Sequence, residues 1–253
     1  MLLAVDVGNT NTVFAVYDGN NLLMEWRCST VVSRTADEYY VWLNALINFQ
    51  NKKILITKMI VCSVVPQVIF NLKLMGKKYY STEALVVGQS LCKLPVKVRV
   101  DEGVDVGSDR IVNTVAAFDR YGGNLIVVDF GTATTFDVVV KNNYLGGVIS
   151  PGVTLSLNSL ISKASLLPSV NLSKISKVIG KNTKSAIRSG FYWGYLGLIN
   201  NIIDLIFKHT NKKYNVILTG GLSHLFKNSI NVKNNVDKNL TINGLLKVIK
   251  KIN

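Results

Sequence analysis

The chain is short of the residues that usually carry disulfide, metal and triad chemistry. Cys28, Cys62 and Cys92 are its three cysteines, an odd number with no CxxC pairing. That excludes a disulfide scaffold and a cysteine-based zinc site, and it suits a reducing compartment. His209 and His224 are the only histidines, too few for a histidine-rich metal centre and a poor supply for a serine-type triad. No apolar run reaches the roughly 18 residues that a membrane helix needs. The opening stretch Met1–Val5 stops at Asp6 with no basic leader, so no secretory signal is expected. Arginine is scarce too: Arg27, Arg34, Arg99, Arg110, Arg120 and Arg188 stand against 23 lysines in a chain of net charge +14. The lysines come in pairs at most, and planar bidentate readers of phosphates and bases are few. The charge therefore reads as lysine-rich usage with attraction for small anionic substrates, and no nucleic-acid partner is expected. What is present in quantity is apolar: 48% of 253 residues, enough to bury the core of one large domain or two modest ones.

Periodicity predicts strands over 2–6, 12–17 and 22–28, joined by tight polar turns such as Asp18-Gly19-Asn20-Asn21, which together make an antiparallel meander. Thr35-Ala36-Asp37-Glu38 opens a predicted helix running to about Ile47. A buried strand follows at 58–64, Pro66 stands at the start of the next helix, and 84–87 is a further short strand. The pattern then restarts. Strands are predicted at 124–129, 134–140 and 144–149, helices after Pro151 and over 183–209, and a strand at 214–219 ending in Gly220-Gly221.

The two openings align as Asp6-Val7-Gly8-Asn9-Thr10-Asn11-Thr12 and Asp129-Phe130-Gly131-Thr132-Ala133-Thr134-Thr135. They share Asp, Gly and the final Thr half a chain apart, which reads as an internal duplication of a strand-meander α/β unit. Two similar halves create a cleft, where ligands tend to sit. The expected division is 1–117 and 118–253, falling where a helix over 112–120 ends at Tyr121-Gly122-Gly123.

In each opening a strand delivers a carboxylate to its C-terminal end. Gly lets the backbone turn tightly, and Asn and Thr add donors beside exposed N–H groups. That is a cradle for phosphate oxygens, with Asp6 placed to hold Mg²⁺ directly or through water. A plain hairpin turn explains one such loop equally well; a matched pair is better explained by phosphate loops clamping a nucleotide. Gly107-Ser108-Asp109-Arg110 precedes a helix expected to begin near Ile111. There Asp109 can take a proton from a substrate hydroxyl and Arg110 can orient the acceptor, although Ser108 or Asp109 could equally be a helix cap.

DVGNTNTVFAVYD, RTADEY, SVVP, GSDRIVN, DFGTATTFD, GGVISPG, GKNTKSAIRSG and ILTGG, in that order from residue 2 to the closing LTINGLL, resemble a type III pantothenate kinase over essentially the whole chain. The resemblance implies a duplicated RNase H-like α/β fold of the acetate kinase/Hsp70/actin type, with two lobes and an interlobe cleft. It implies ATP-dependent phosphorylation of pantothenate, the first step towards coenzyme A, in a cytoplasmic homodimer that needs Mg²⁺ and a monovalent cation (K⁺ or NH₄⁺). By position it implies that Asp6, Val7, Gly8, Asn9, Thr10, Asn11, Thr12 and Val13 form the ATP phosphate site, with Thr132 a second ATP contact. Gly107, Ser108, Asp109 and Arg110 match the pantothenate-contacting stretch, with Asp109 the general base. Asp129 matches the monovalent-cation ligand, and Thr183 a pantothenate contact reaching in from the partner subunit. The chain departs from the family at Val100, where relatives carry a pocket Tyr, and at Ser108, which replaces a usual Ala. The alternatives are a kinase for another small hydroxylated acceptor and a nucleotide-binding regulatory protein of the same fold.

Other candidates have plainer readings. Asp37 and Glu38 suit a helix N-terminal turn. Trp26, Trp42 and Trp193 suit a core or dimer interface. His209 suits a helix end, and Cys62 is a buried small hydrophobe. Asp137 is left open as a support for the second loop.

Overall fold

The opening meander forms as its alternation predicts: β1 (Leu2–Val7), β2 (Asn11–Asp18) and β3 (Asn21–Ser29) pair antiparallel in sequence order. The computed structural model describes residues 1–50, 54–89 and 95–252, so Cys92 lies outside the described residues. Helix α1 (Ala36–Asn48) starts at a full capping box, with Thr35 and Glu38 each accepting from the other's backbone N–H. Asp37 and Glu38 therefore serve a helix start, and the bonds from Thr35 hold Glu38 below the ordinary carboxylate range. The parallel strands β4 (Lys58–Ser63) and β5 (Ala84–Val86) complete a five-stranded sheet ordered β3-β2-β1-β4-β5. Helix α2 (Pro66–Tyr80) links them and begins at Pro66, where the missing N–H costs nothing.

After β6 (Lys97–Val98) and α3 (Ser108–Tyr121) the same plan repeats. Strands β7 (Asn124–Phe130), β8 (Ala133–Val140) and β9 (Asn143–Pro151) form a second antiparallel meander. Helices α4 (Val153–Lys163) and α5 (Thr183–Thr210) lead into β10 (Asn215–Gly220), then α6 (Ser223–Phe226), β11 (Asn234–Val236) and α7 (Leu240–Ile252). The second sheet is ordered β11-β10-β7-β8-β9-β6. Apart from β6 on its edge, its strand order and pairing directions match the first, with β7 in the place of β1 and β10 in the place of β4.

The chain divides into two compact units: 1–97, 101–116 and 240–253 form the first, and 98–100 with 117–239 the second. The C-terminal segment thus lies with the first unit, whereas the division expected from sequence placed it in the second half. The cause is the apolar face of α7, where Leu240, Ile242, Leu245, Leu246, Val248 and Ile249 are buried. Gly244 lets that face approach closely, since a Cβ there would stand 2.5 Å from the carbonyl oxygen of Val112.

The first core packs Leu3, Val5, Val7, Phe14 and Val16 of the sheet against Tyr39 and Leu43 of α1 and Leu72 of α2. The second packs Ile126, Val128, Phe136 and Leu218 against Tyr192, Leu196 and Ile199 of α5. The tryptophans serve these cores: Trp42 tilts against Phe14 and Trp193 meets the edge of Tyr192. Among the described residues no helix is long and apolar enough to cross a membrane.

Candidate active site

In the first unit, β1 brings Asp6 to its C-terminal end, opposite Val13 on β2 and Cys62 on β4. Gly8 N–H closes the following turn on the Asn11 carbonyl at 2.9 Å. Thr30 braces the loop from behind: its N–H donates to the Thr10 carbonyl at 3.0 Å and its hydroxyl to the Gly8 carbonyl at 2.7 Å. In a trans peptide the following N–H points opposite to the carbonyl, so the amides of Asn9 and Asn11 face away from Thr30. Asn9, Thr10 and Asn11 are exposed. Val7, Thr12 and Val13 are not: their side chains are buried, and the Thr12 hydroxyl lies 2.9 Å from that of Thr30. These three shape the loop from inside and present no side chain to a ligand.

Helix α3 begins at Ser108, earlier than the start near Ile111 expected from sequence, so Asp109 and Arg110 stand in its first turn. Asp109 is not the N-cap residue, since it stands one position inside the helix start. Its Oδ1 accepts from the next residue's N–H, that of Arg110, at 2.8 Å. A Cβ on Gly107 would stand 2.7 Å from that same Oδ1, so the glycine makes room for the carboxylate. Burial raises the Asp109 pKa above its ordinary 3.8, opposed by the bond from Arg110 N–H and the Arg110 charge. Ser108 donates to the Ser63 carbonyl at 3.0 Å and accepts from the Cys62 thiol at 3.2 Å. Because Cys62 pairs with Asp6 across the parallel strands, the helix start carrying Asp109 is tied to the same sheet end that carries Asp6. That is where open α/β sheets place their ligands.

In the second unit Asp129 is the last but one residue of β7, opposite Thr135 on β8 and Thr219 on β10. The two loops are related but not identical. Four residues, 8–11, separate the last paired residues Val7 and Thr12, whereas three, 131–133, separate Phe130 and Thr134. The fully buried Thr134 therefore corresponds to the fully buried Thr12, which corrects the sequence alignment of Thr12 with Thr135 by one position. Gly131 and Thr132 are exposed at the loop tip. Gly220, with φ +83°, brings its Cα so close that a Cβ would stand 2.5 Å from Asp129 Oδ1 and 2.6 Å from the Phe130 carbonyl oxygen. Gly220 thus packs its backbone against the end of β7 beside Asp129.

Asp137 is completely buried and accepts from the Tyr144 hydroxyl at 3.0 Å. Thr183 is exposed at the first position of α5, behind a capping box made by Asn182 and Ser185. It stands at one end of a groove of about 650 Å³ lined by Leu160, Leu167, Ala186, Gly190, Phe191 and Tyr195. Among the described residues no three His, Cys, Asp or Glu side chains gather as a ready metal cage. Gly152 and Gly220 sit inside GGVISPG and ILTGG without being singled out by sequence reasoning.

A family model for type III pantothenate kinases matches residues 2–205. A type III pantothenate kinase from Ruegeria sp. is 53% identical over 98% of this chain and 96% of its own length. Among solved structures, a Campylobacter jejuni protein assigned to a Baf family of transcriptional activators aligns at a TM-score of 0.61 and 21% identity, over 98% of both chains. A ROK family glucokinase from Streptomyces griseus, in complex with glucose and AMPPNP, aligns at 0.54 and 8% identity over 99% of this chain and 98% of its own. These distant likenesses establish the fold alone, one shared with a ROK family glucokinase. On the family match and the near-complete, 53% identical relative, the chain belongs to the type III pantothenate kinase family.

Proposed function

We propose that the chain transfers the γ-phosphoryl group of ATP to the primary hydroxyl of pantothenate, the first step towards coenzyme A, in the cytoplasm. Family membership supplies the acceptor. The observation in this chain that carries the reading is Asp109, a desolvated carboxyl fixed in the first turn of α3 beside the sheet end that holds Asp6. A base works best when its pKa is raised towards the working pH, and burial shifts Asp109 in that direction.

In this reading Asp6, Gly8, Asn9, Thr10 and Asn11 hold the phosphates through backbone N–H groups and side chains, with Thr132 giving a second contact. Asp6 would hold Mg²⁺ through water, and Asp129 with neighbouring oxygens would hold K⁺ or NH₄⁺. When bound, these cations neutralise charge on the phosphates. Asp109 takes the proton of the attacking hydroxyl, and Gly107, Ser108 and Arg110 line the acceptor and orient it. Val100 leaves the pocket without the aromatic wall of relatives.

The reading includes a homodimer joined at the groove beside Thr183, which lets Thr183 reach the partner's acceptor. Exposed Ile149, Leu155, Leu160, Leu166, Val178 and Ile179 support an apolar interface in this unit. Light scattering should give twice 27.9 kDa; a monomer at working concentration would remove the shared site.

The test is ADP release with ATP, Mg²⁺ and pantothenate, in K⁺ and again with K⁺ replaced by a bulky organic cation. Turnover that needs both pantothenate and K⁺ is expected. Pantothenate-dependent turnover without K⁺ would keep the kinase and remove the cation role of Asp129. No turnover from folded, nucleotide-binding protein would move the assignment to another acceptor or to a regulatory role.

A further inference from the structure

Gly152 precedes α4 as its N-cap, with φ −71° and ψ 153°. Any residue adopts those angles, so the backbone does not call for glycine there. The surroundings do. A Cβ on Gly152 would run into the carbonyl oxygen of Thr132, and would stand 2.6 Å from the carbonyl oxygen of Gly131 and 2.7 Å from the carbonyl carbon of Thr132. All three are backbone atoms, which cannot swing aside as the end of a side chain can. Gly152 N–H also donates to the Thr132 carbonyl at 3.0 Å. On the other side α4 is pinned. The Tyr195 hydroxyl on α5 lies 3.2 Å from the carbonyl oxygens of both Pro151 and Gly152, and 2.5 Å from Ser156 Oγ. Tyr192, next to Tyr195 on α5, is completely buried in the second core. The exposed tip 131–132 is therefore the side that must yield to any added atom.

We propose that Gly152 is a positioning residue for nucleotide binding, acting through the second loop. Its missing side chain lets the Gly131 and Thr132 carbonyls turn inward onto the start of α4. With trans peptides, the N–H groups of Thr132 and Ala133 then face the opposite way, outward from α4. Donors aimed in advance need no reorganisation when phosphate arrives. Gly152 touches no substrate; it sets where Thr132 stands. The proposal rests on the reading of this loop as an ATP contact.

The test is calorimetric binding of a non-hydrolysable ATP analogue to the full-length protein and to Gly152→Ala, Tyr195→Phe and the double variant. Gly152→Ala should weaken the analogue by about tenfold or more, since displacements near 1 Å at a positioned group cost up to about a hundredfold. Its KM for pantothenate should stay within about twofold on the same scale. Tyr195→Phe frees the start of α4, so in the double variant it should recover part of the lost affinity, a coupling that simple destabilisation would not give. Folded Gly152→Ala with wild-type nucleotide affinity would overturn the proposal, and so would equal losses for both ligands. If Gly152→Ala does not fold, hydrogen exchange on the wild type decides. Nucleotide should protect 131–133 and 152–156 together, and protection of the loop alone would overturn it. A wild type that binds no analogue would instead refute the functional reading, and this proposal with it.

Discussion

The hydroxyl of Ser108 donates to the carbonyl of Ser63 at 3.0 Å, fastening the first turn of α3 to the end of β4. It also accepts from the buried Cys62 thiol, so one side chain joins the helix bearing Asp109 to the strand beside Asp6. Alanine at this position would keep the helix where it is through the backbone. Ser108→Ala is therefore expected to cost about 1 kcal/mol of stability, the net worth of a typical buried hydrogen bond. It should leave turnover within about threefold, because the change removes no contact to the reacting atoms. Urea unfolding and steady-state kinetics check this, and a collapse of kcat would make the hydroxyl part of the acceptor site.

Asp109 holds its raised pKa through burial, which means the folded protein binds that proton more tightly than the unfolded chain does. Its contribution to stability is full below the ordinary value of 3.8 and is lost as the pH rises through the raised value. At neutral pH the charged carboxylate is a cost carried for function. Asp109→Asn should therefore have a higher Tm than the wild type at neutral pH, with the difference shrinking as the pH is lowered. The acid limb of kcat/KM should lie above pH 3.8 for the same reason. Thermal melts across pH on the two proteins check the first expectation, and a Tm difference that grows on acidification would contradict it.

Gly220 stands in the left-handed region at φ +83°, with Asp129 Oδ1 2.5 Å from where a Cβ would be. Gly220→Ala must displace that carboxylate or strain the end of β10. On the proposed cation role of Asp129, the expected result is a rise of about 10- to 100-fold in the K⁺ concentration for half-maximal activity, the usual cost of disturbing a ligand's support. The kcat at saturating K⁺ should fall far less. A K⁺ titration matching the wild type would detach Asp129 from the cation.

Gly244 tests the placement of α7. An Ala there meets the backbone of Val112, and overpacking of this kind typically costs about 1–3 kcal/mol. The Tyr17 hydroxyl donates to Asn243 at 3.0 Å and Thr241 to Asn113 at 2.7 Å, so the helix is fixed by polar contacts as well. Denaturant midpoints for Gly244→Ala check this, and an unchanged midpoint would mean the helix end is loosely held.

Much of this arrangement is legible in the residues. The meanders follow from alternation, and α1 follows from Thr35 and Glu38, whose side chains both bond as a capping box predicts. The turns after β1 and β7 follow from Asp-x-Gly at two strand ends. Other features depend on tertiary packing. The residues predict a later start for α3 because Ser108-Asp109 resembles a cap, whereas Asp109 folds back onto Arg110 N–H beside Gly107 within the first turn. The shared final Thr misled by one position, because loop length sets register and the second loop is one residue shorter. The return of α7 to the first unit depends on which face finds it, which the amphipathic pattern of 240–252 does not specify. Gly152 carries no local sign at all, since its angles are ordinary and only the backbone opposite it demands glycine.

The central claim is that Asp109 is the base for phosphoryl transfer to pantothenate, and turnover of Asp109→Asn with ATP, Mg²⁺, K⁺ and pantothenate tests it most directly. A positioned base contributes about 10²–10⁴ in rate. The variant is therefore predicted to fold, to bind nucleotide as the wild type does, and to lose kcat by that factor. Retention of more than about half the wild-type kcat would contradict the account, because even a weak general base contributes well over twofold.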